Sequence, residues 1–256
     1  MFKIIFLGQK PIGEECFNLL VKKSKKFNWK IVAAVSNKSK HNWWKSNYIY
    51  ENCKKNEIQF INNKKRNIKK IIEIIEKNKI NLMISVGHQW IIPNQIIKAL
   101  KGKAFNLHNA KLPDYKGFNS INHAILNGEK TYTSSIHIMS KNVDSGAIIF
   151  EKECHISKLE TAISLYDKTH KNCRKIFLEF LKSLNIKKRF KLKKNIANGN
   201  FYGKNLIYNL KKININDDIE TIKTKSRAFY FPPFEPAYLI IKDNRYYITP
   251  NNKKLI

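Results

Sequence analysis

Three side chains with the means to act on a carbonyl group stand in two short segments, Asn106 and His108 in FNLHNAKLPDYKG and Asp144 in SSIHIMSKNVDSGAIIFE. An amide, an imidazole and a carboxylate brought to one point suit acyl transfer to an amine. A neutral amine attacks a carbonyl carbon and negative charge grows on the oxygen, where the Asn106 amide and a protonated His108 stabilise it. The attacking nitrogen becomes cationic and must lose a proton, which Asp144 can accept; alternatively Asp144 holds the imidazole in the required tautomer.

That chemistry needs elements able to bring the three groups together. Ala104–His108, bounded by Gly102 and Pro113, reads as a short buried strand. Residues two apart in a strand point the same way, so Asn106 and His108 address one volume. Ser135–Phe150 is apolar on both sides of Lys141–Gly146, a polar stretch read as a loop that places Asp144 near a strand end. Upstream, Lys3–Leu7, Ile31–Val35 and Leu82–Val86 read as strands. Between them lie helical patterns, one carrying Ile12, Cys16, Leu19 and Leu20, another Ile68, Ile71, Ile72 and Ile75. The expected fold is α/β, a Rossmann-like, mostly parallel sheet flanked by helices, with a small β-rich C-terminal module. A single glycine, Gly8, follows the first strand, so no GxGxxG dinucleotide fingerprint is present.

Ser157 and Glu160 form a capping-box pattern opening a helix that carries Leu159, Ile163, Tyr166, Cys173, Ile176, Phe177, Phe180 and Leu184, with Tyr166 read as core packing. This helix is expected to close a first domain over 1–185. Residues 186–256 would form the second, with short aromatic-rich strands around Phe229–Tyr238. The run Lys187–Lys194 reads as a solvated linker, with an RNA-contacting strip as the alternative.

The chain has 256 residues, 43% of them hydrophobic, enough for one good core and a small appendage. Its 49 Lys and Arg against 19 Asp and Glu give a formal charge of +30, spread over the whole sequence. Such a field steers anions, whether tRNA, a nucleoside diphosphate sugar or a polyglutamylated folate, without choosing among them. No apolar stretch approaches the roughly 18 residues that span a bilayer, and the apolar part of MFKIIFLGQK is short for a secretory signal, so a cytoplasmic protein is expected. Cys16, Cys53, Cys154 and Cys173 show no CxxC or zinc spacing. Free thiols and no metal are expected.

Residues 104–151 resemble the folate-dependent formyltransferases in order and nearly without gaps. The match runs through Leu112-Pro113, Tyr115-Lys116-Gly117, Ala124–Gly128 and Asp144-Ser145-Gly146, and continues through Glu160–Asp167 to about residue 184. Two positions depart from the family pattern: Asn109 follows His108 where the family usually has proline, and Ser145 replaces the more usual threonine. The resemblance implies N10-formyltetrahydrofolate as formyl donor. It places the donor at Val86–Pro93, a strand-end loop whose backbone cradles the pterin, with Gly87, His88, Trp90, Ile92 and Pro93 as the pocket. His123 and His137 are weaker candidates as catalysts; His137 occupies a strand position where members that modify sugars often have histidine, in a substrate-side or structural role.

The Arg227–Pro233 pattern looks like the short tail of sugar-nucleotide N-formyltransferases, and Gly8–Glu14 with the Trp43-Trp44 pair also looks closer to enzymes acting on dTDP-linked amino sugars. The implied substrate is a nucleotide-linked amino-dideoxysugar, dTDP-3-amino or dTDP-4-amino-dideoxyglucose, of the kind used in lipopolysaccharide O-antigen biosynthesis. Lys10, Trp43, Trp44, Tyr115 and Lys116 are the substrate-binding candidates. Lys10 would meet a diphosphate and a tryptophan would stack on a base or sugar, each against a simpler use as an exposed loop lysine or a packing ring. The alternatives are a methionyl-tRNA formyltransferase, whose larger barrel the roughly 60 remaining residues would not complete, and a non-catalytic RNA-binding protein of the same fold. The apolar tail would either join two copies into a homodimer or cover the first domain.

Overall fold

The computed structural model describes residues 1–37, 43–44, 47–63, 66–187, 189–195 and 199–250. Lys3–Gly8 (β1) begins a seven-stranded sheet. To one side of it lie Lys30–Ser36 (β2) and Gln59–Asn62 (β3), and to the other Leu82–Val86 (β4) and Ala104–His108 (β5), all five parallel. After the two-residue strand Lys116–Gly117 (β6), Thr131–Ile138 (β7) and Ile148–His155 (β8) extend the sheet antiparallel, giving the order β3-β2-β1-β4-β5-β7-β8. Helices Lys10–Phe27 (α1), Tyr48–Lys55 (α2), Ile68–Lys77 (α3), Asn94–Ala99 (α4), Ser120–Leu126 (α5) and Ala162–Asn185 (α6) complete this part of the chain. The architecture is the Rossmann-like one that the strand-helix alternation predicts.

Period-two alternation explains the apolar strands. Ile4 and Phe6 face a core shared with Phe17, Leu20, Phe177 and Phe180, while Ile5 and Leu7 face a second core with Ile71, Met83 and Ile96. A strand covered on both faces has no polar side and reads as one apolar run. In β5, Phe105 and Leu107 join the first core. Asn106 and His108 therefore project toward the opposite side, at the carboxyl end of the strand.

The strand order reverses between β1 and β4, and ligands in open α/β sheets bind in the crevice beyond the carboxyl ends at such a point. Here the loops after those strands are pinned together. Gln9 N–H donates to the Val86 carbonyl at 3.3 Å, and Gln89 N–H donates to Gln9 Oε1 at 3.2 Å. A Cβ on Gly13 would come within 2.8 Å of the Val86 carbonyl oxygen, so the missing side chain lets the start of α1 close onto the end of β4.

Two local expectations are corrected. The capping box opening α6 is Thr161 with Ser164, four residues later than Ser157 with Glu160. The Glu160 carboxylate is engaged instead by Ser164 Oγ at 2.7 Å and Lys168 Nζ at 2.6 Å, which leaves Leu159 outside the helix and exposed. Phe229–Pro236 forms no strand, because prolines 232, 233 and 236 remove the donors that a ladder requires. The tail comprises Phe201–Tyr202 (β9), Leu206–Leu210 (α7), Ile219–Ala228 (α8) and the hairpin Ala237–Ile241 (β10) with Asn244–Ile248 (β11).

The run expected to be a solvated linker keeps Arg189 and residues 191–194 exposed, and is anchored to the sheet at two points. Phe190 packs on Phe105, Phe150 and Phe180 with ring centroids 5.8–5.9 Å apart, and Lys193 exchanges backbone hydrogen bonds with Ile148 and pairs with Glu151. Farther along, β9 pairs with β6. Ile207, Ile213, Ala228, Phe229 and Ala237 share one apolar cluster with Tyr115, Tyr132, Ala162 and Leu165. Among the described residues no helix is long and apolar enough to cross a membrane, and no group of His, Cys, Asp and Glu could hold a metal ion. All four cysteines are free.

Candidate active site

Antiparallel pairing of β5 with β7 sets Asn106 opposite His137 and His108 opposite Ser135. Asp144 arrives from the turn joining β7 to β8, with φ 49°, a left-handed conformation that aspartate tolerates better than most side chains. Its carboxylate bridges both groups. Asn106 Nδ2 donates to Asp144 Oδ1 at 3.3 Å, and His108 Nε2 lies 3.6 Å from Asp144 Oδ2. The three catalytic candidates of the sequence thus stand side by side. His108 and Asp144 keep 13% and 10% side-chain exposure, enough to touch a ligand and little enough to exclude bulk water.

A second imidazole completes the cluster. His137, 2% exposed, places Nε2 at 3.3 Å from Asp144 Oδ1 and 3.2 Å from Asn106 Nδ2. Its Nδ1 is 2.9 Å from the Ile138 carbonyl, so Nδ1 carries a proton and Nε2 is the nitrogen presented to the site. His108 Nε2 lies 2.9 Å from the Tyr115 carbonyl, which fixes a proton there and leaves Nδ1 as the other ring nitrogen. Burial would raise the Asp144 pKa. The charge of His108, the hydrogen bond and charge of His137, and the Gly117 N–H at 3.0 Å outweigh it and hold the carboxylate well below its usual range.

Backbone close approach fixes the Asp144 turn. A Cβ on Gly146 would lie 1.7 Å from the Ile138 carbonyl oxygen, so only glycine lets the turn press against the end of β7. Asn195 holds the same turn from the far side, its Nδ2 donating to the carbonyls of Asp144 at 2.7 Å and Gly146 at 3.0 Å. Nothing in the sequence marks Asn195, which follows a run of lysines some 50 positions away from its partners. Replacing it by alanine removes two hydrogen bonds worth about 1–2 kcal/mol together. We expect Asn195→Ala to lower turnover roughly tenfold while shifting the melting temperature by only a few degrees, measured by steady-state kinetics and calorimetry. Unchanged turnover would show that the clamp is dispensable.

Gly87 has φ 59°, and a Cβ there would meet the Gln9 carbonyl at 2.7 Å, so the loop after β4 depends on this glycine to sit against the loop after β1. Both ring nitrogens of His88 are buried without a hydrogen-bond partner. Ile92 is buried in the second core, Trp90 packs on that core, and Pro93 precedes α4. Lys10 opens α1 with φ 63°, and burial lowers its ammonium pKa. Trp43 packs edge-on against Trp44, Tyr166 and Phe231 at 5.0–5.4 Å. The Tyr115 ring is buried and turned to Glu129, to which its hydroxyl donates at 2.8 Å; its carbonyl is what meets the site. Lys116 is likewise buried, as part of β6.

Burial lowers the pKa of His88, with Arg66 adding to the effect, to about 4, and burial alone does the same for His123. In the unfolded chain both imidazoles return to about 6.5, so between pH 6.5 and 4 the unfolded state binds more protons than the folded one. Stability from these two groups is complete above pH 6.5 and falls as the pH drops toward 4. Each is expected to contribute a slope of up to about 1.4 kcal/mol per pH unit in urea unfolding. His123→Gln should flatten the profile, and an equally steep profile in that variant would disprove the assignment.

The Formyl transferase family matches residues 2–181, and the chain belongs to that family. Among curated proteins it is 29% identical over 174 residues to a GDP-perosamine N-formyltransferase of Brucella melitensis, covering 66% of this chain and 64% of that one. The chain thus spans just under two thirds of that relative's length. Among solved structures, a sugar N-formyltransferase from a Shewanella species superimposes with TM-score 0.80 at 20% identity, covering 99% of both chains. An N-formyltransferase from Helicobacter canadensis, solved with folinic acid and dTDP-3-aminofucose, superimposes with TM-score 0.76 at 23% identity, over 96% of this chain and 86% of that one.

Proposed function

We propose that this chain is an N-formyltransferase that moves a formyl group from N10-formyltetrahydrofolate to the amine of a nucleotide-linked amino-dideoxysugar. The observation that carries this reading is the convergence of Asn106, His108 and Asp144 at the carboxyl edge of β5 in a member of the formyl transferase family. The loop Gly87–Pro93, which abuts the strand-end crevice, offers in His88 two buried ring nitrogens that lack partners, and this fits a polar heterocycle. Gly87, His88, Trp90, Ile92 and Pro93 would hold the donor. When bound, the folate supplies the activated formyl group.

The protein's own residues then do three things. Asn106 Nδ2 and the protonated His108 ring stabilise negative charge on the carbonyl oxygen. Asp144, kept ionised by its imidazole neighbours, accepts the proton that the amine nitrogen must lose. His137, hydrogen-bonded to the Ile138 carbonyl through Nδ1, keeps Nε2 against Asp144 and can share that proton.

A sugar nucleotide rather than tRNA is supported by the likeness to the GDP-perosamine N-formyltransferase, 29% identical over 174 residues. The decisive assay combines the protein and N10-formyltetrahydrofolate with dTDP-3-amino- or dTDP-4-amino-dideoxyglucose, and with GDP-perosamine as a third acceptor. Release of tetrahydrofolate with a dTDP sugar is expected. Turnover with charged initiator tRNA alone would overturn the sugar reading.

A further inference from the structure

Asn109 follows His108 at the position where the resemblance leads one to expect proline, whose ring would fix φ near −65°. The structure surrounds that position with hydrogen bonds. Ala110 N–H donates to the His108 carbonyl at 2.9 Å, closing a three-residue turn centred on Asn109. The other two carbonyls of the turn are also held: that of Asn109 by the Tyr132 hydroxyl at 2.5 Å, and that of Ala110 by Ser135 Oγ at 2.9 Å. The Asn109 side chain is bound at both ends, with Nδ2 donating to Thr169 Oγ1 at 2.8 Å and Oδ1 accepting from Ser134 Oγ at 2.7 Å. Thr169 in turn donates to the Tyr166 carbonyl of α6 at 3.0 Å.

Ser134, Ser135, Tyr132 and Thr169 are all buried. A buried polar network is costly when partly satisfied and rigid when complete, and here both ends of the amide are satisfied. The network ties the end of β5 to β7 through Ser134 and to α6 through Thr169. His108 is the residue immediately before it, and its Nε2 must stay 2.9 Å from the Tyr115 carbonyl while its ring faces Asp144.

We propose that Asn109 is a positioning residue: its side-chain amide, bridging Ser134 and Thr169, holds the turn that orients the His108 imidazole, in the place where a proline ring would otherwise stiffen the backbone. Its bearing on turnover rests on the formyl-transfer reading. Its bearing on the His108 ring does not, because that ring can be observed directly in the ligand-free protein.

The experiment uses the full chain with three substitutions: Asn109→Ala, which breaks both bonds of the amide, and Ser134→Ala and Thr169→Val, which each break one of them, the latter also losing the bond to the Tyr166 carbonyl. Long-range proton–nitrogen spectra report the protonated nitrogen of each imidazole, and the His108 signals are assigned by their loss in His108→Gln. In spectra of the unaltered protein recorded at a pH high enough to leave the imidazoles neutral, His108 is expected to carry its proton on Nε2. In Asn109→Ala both tautomers should appear, with kcat about tenfold to thirtyfold lower at an unchanged acceptor KM. The single-bond variants should show smaller effects, and adding Ser134→Ala to Asn109→Ala should cost nothing further.

A His108 ring unchanged in all three variants would overturn the proposal, even if activity fell, since the loss would then be general destabilisation. Should Asn109→Ala fail to fold, Ser134→Ala and Thr169→Val decide by the same ring signals. An unaltered protein that shows the expected His108 tautomer yet transfers no formyl group to any acceptor would refute the enzymatic reading and leave the positioning result standing.

Discussion

Asp144→Asn is expected to lower turnover about a thousandfold or more while leaving the circular dichroism spectrum intact. The asparagine has the shape of the carboxylate and can still accept the Gly117 N–H that now reaches Oδ2 at 3.0 Å. It cannot take a proton from an amine, and it offers no charge to His108 or His137, which lie 3.6 and 3.3 Å from its oxygens. A positioned general base is worth about 10²–10⁴ in rate. The measurement is kcat at saturating donor and acceptor, and retention of more than a tenth of the original turnover would exclude Asp144 as the proton acceptor. Removing the carboxylate also changes acid stability. The folded-state pKa of Asp144 lies below the unfolded value of 3.8, so its contribution is present above that pH and is lost as the pH falls further; the asparagine variant should lack this acid limb.

Gly146→Ala should be nearly as damaging, by a different route. The new methyl would sit 1.7 Å from the Ile138 carbonyl oxygen, which belongs to the backbone of β7 and cannot rotate away as a side chain would. Either the strand end or the turn must shift. The turn carries Asp144 and is held by Asn195, so a displacement of even an ångström separates the carboxylate from Asn106 and His108. We expect destabilisation of about 2–4 kcal/mol, seen as a melting temperature roughly 5–15 °C lower, together with a turnover loss on the order of a hundredfold. Gly203→Ala is the control, because a Cβ at Gly203 meets nothing within 4 Å. Equal behaviour of the two variants would show that the close approach at Gly146 has no consequence.

How much of this was readable before any coordinates depended on whether the cause was local. Asn106 and His108 were legible as a pair because alternation along a strand is a property of five consecutive residues. Asp144 was legible as a loop residue because polar side chains and a glycine interrupt two apolar runs. The register that brings the loop to the strand was not, since pairing Asn106 with His137 is a relation between distant segments. For that reason His137 read as a strand histidine with a substrate-side or structural role, and Asn195, one residue past the basic run, carried no signal at all.

The start of α6 was misplaced because two capping patterns lie four residues apart and only one is used. Ser157 and Glu160 satisfy the spacing, but Lys168 and Ser164 take the Glu160 carboxylate. The helix α8 went unread although Asp218 caps it, accepting from Thr221 N–H at 2.8 Å. The aromatic residues that follow have strand propensity, but three prolines forbid a ladder there.

The apolar cluster in which Ile207, Ile213 and Phe229 meet Tyr132 and Leu165 carries a lesson for anyone wishing to dissect this molecule. A fragment cut at the close of α6 would lay bare the greasy underside of Tyr115 and Tyr132 and lose both the Asn195 clamp and the ladder from β9 to β6. Such a piece should precipitate from the lysate rather than behave as a miniature enzyme, and protein engineers would do better to graft onto the exposed tip of the β10–β11 hairpin than to trim the chain.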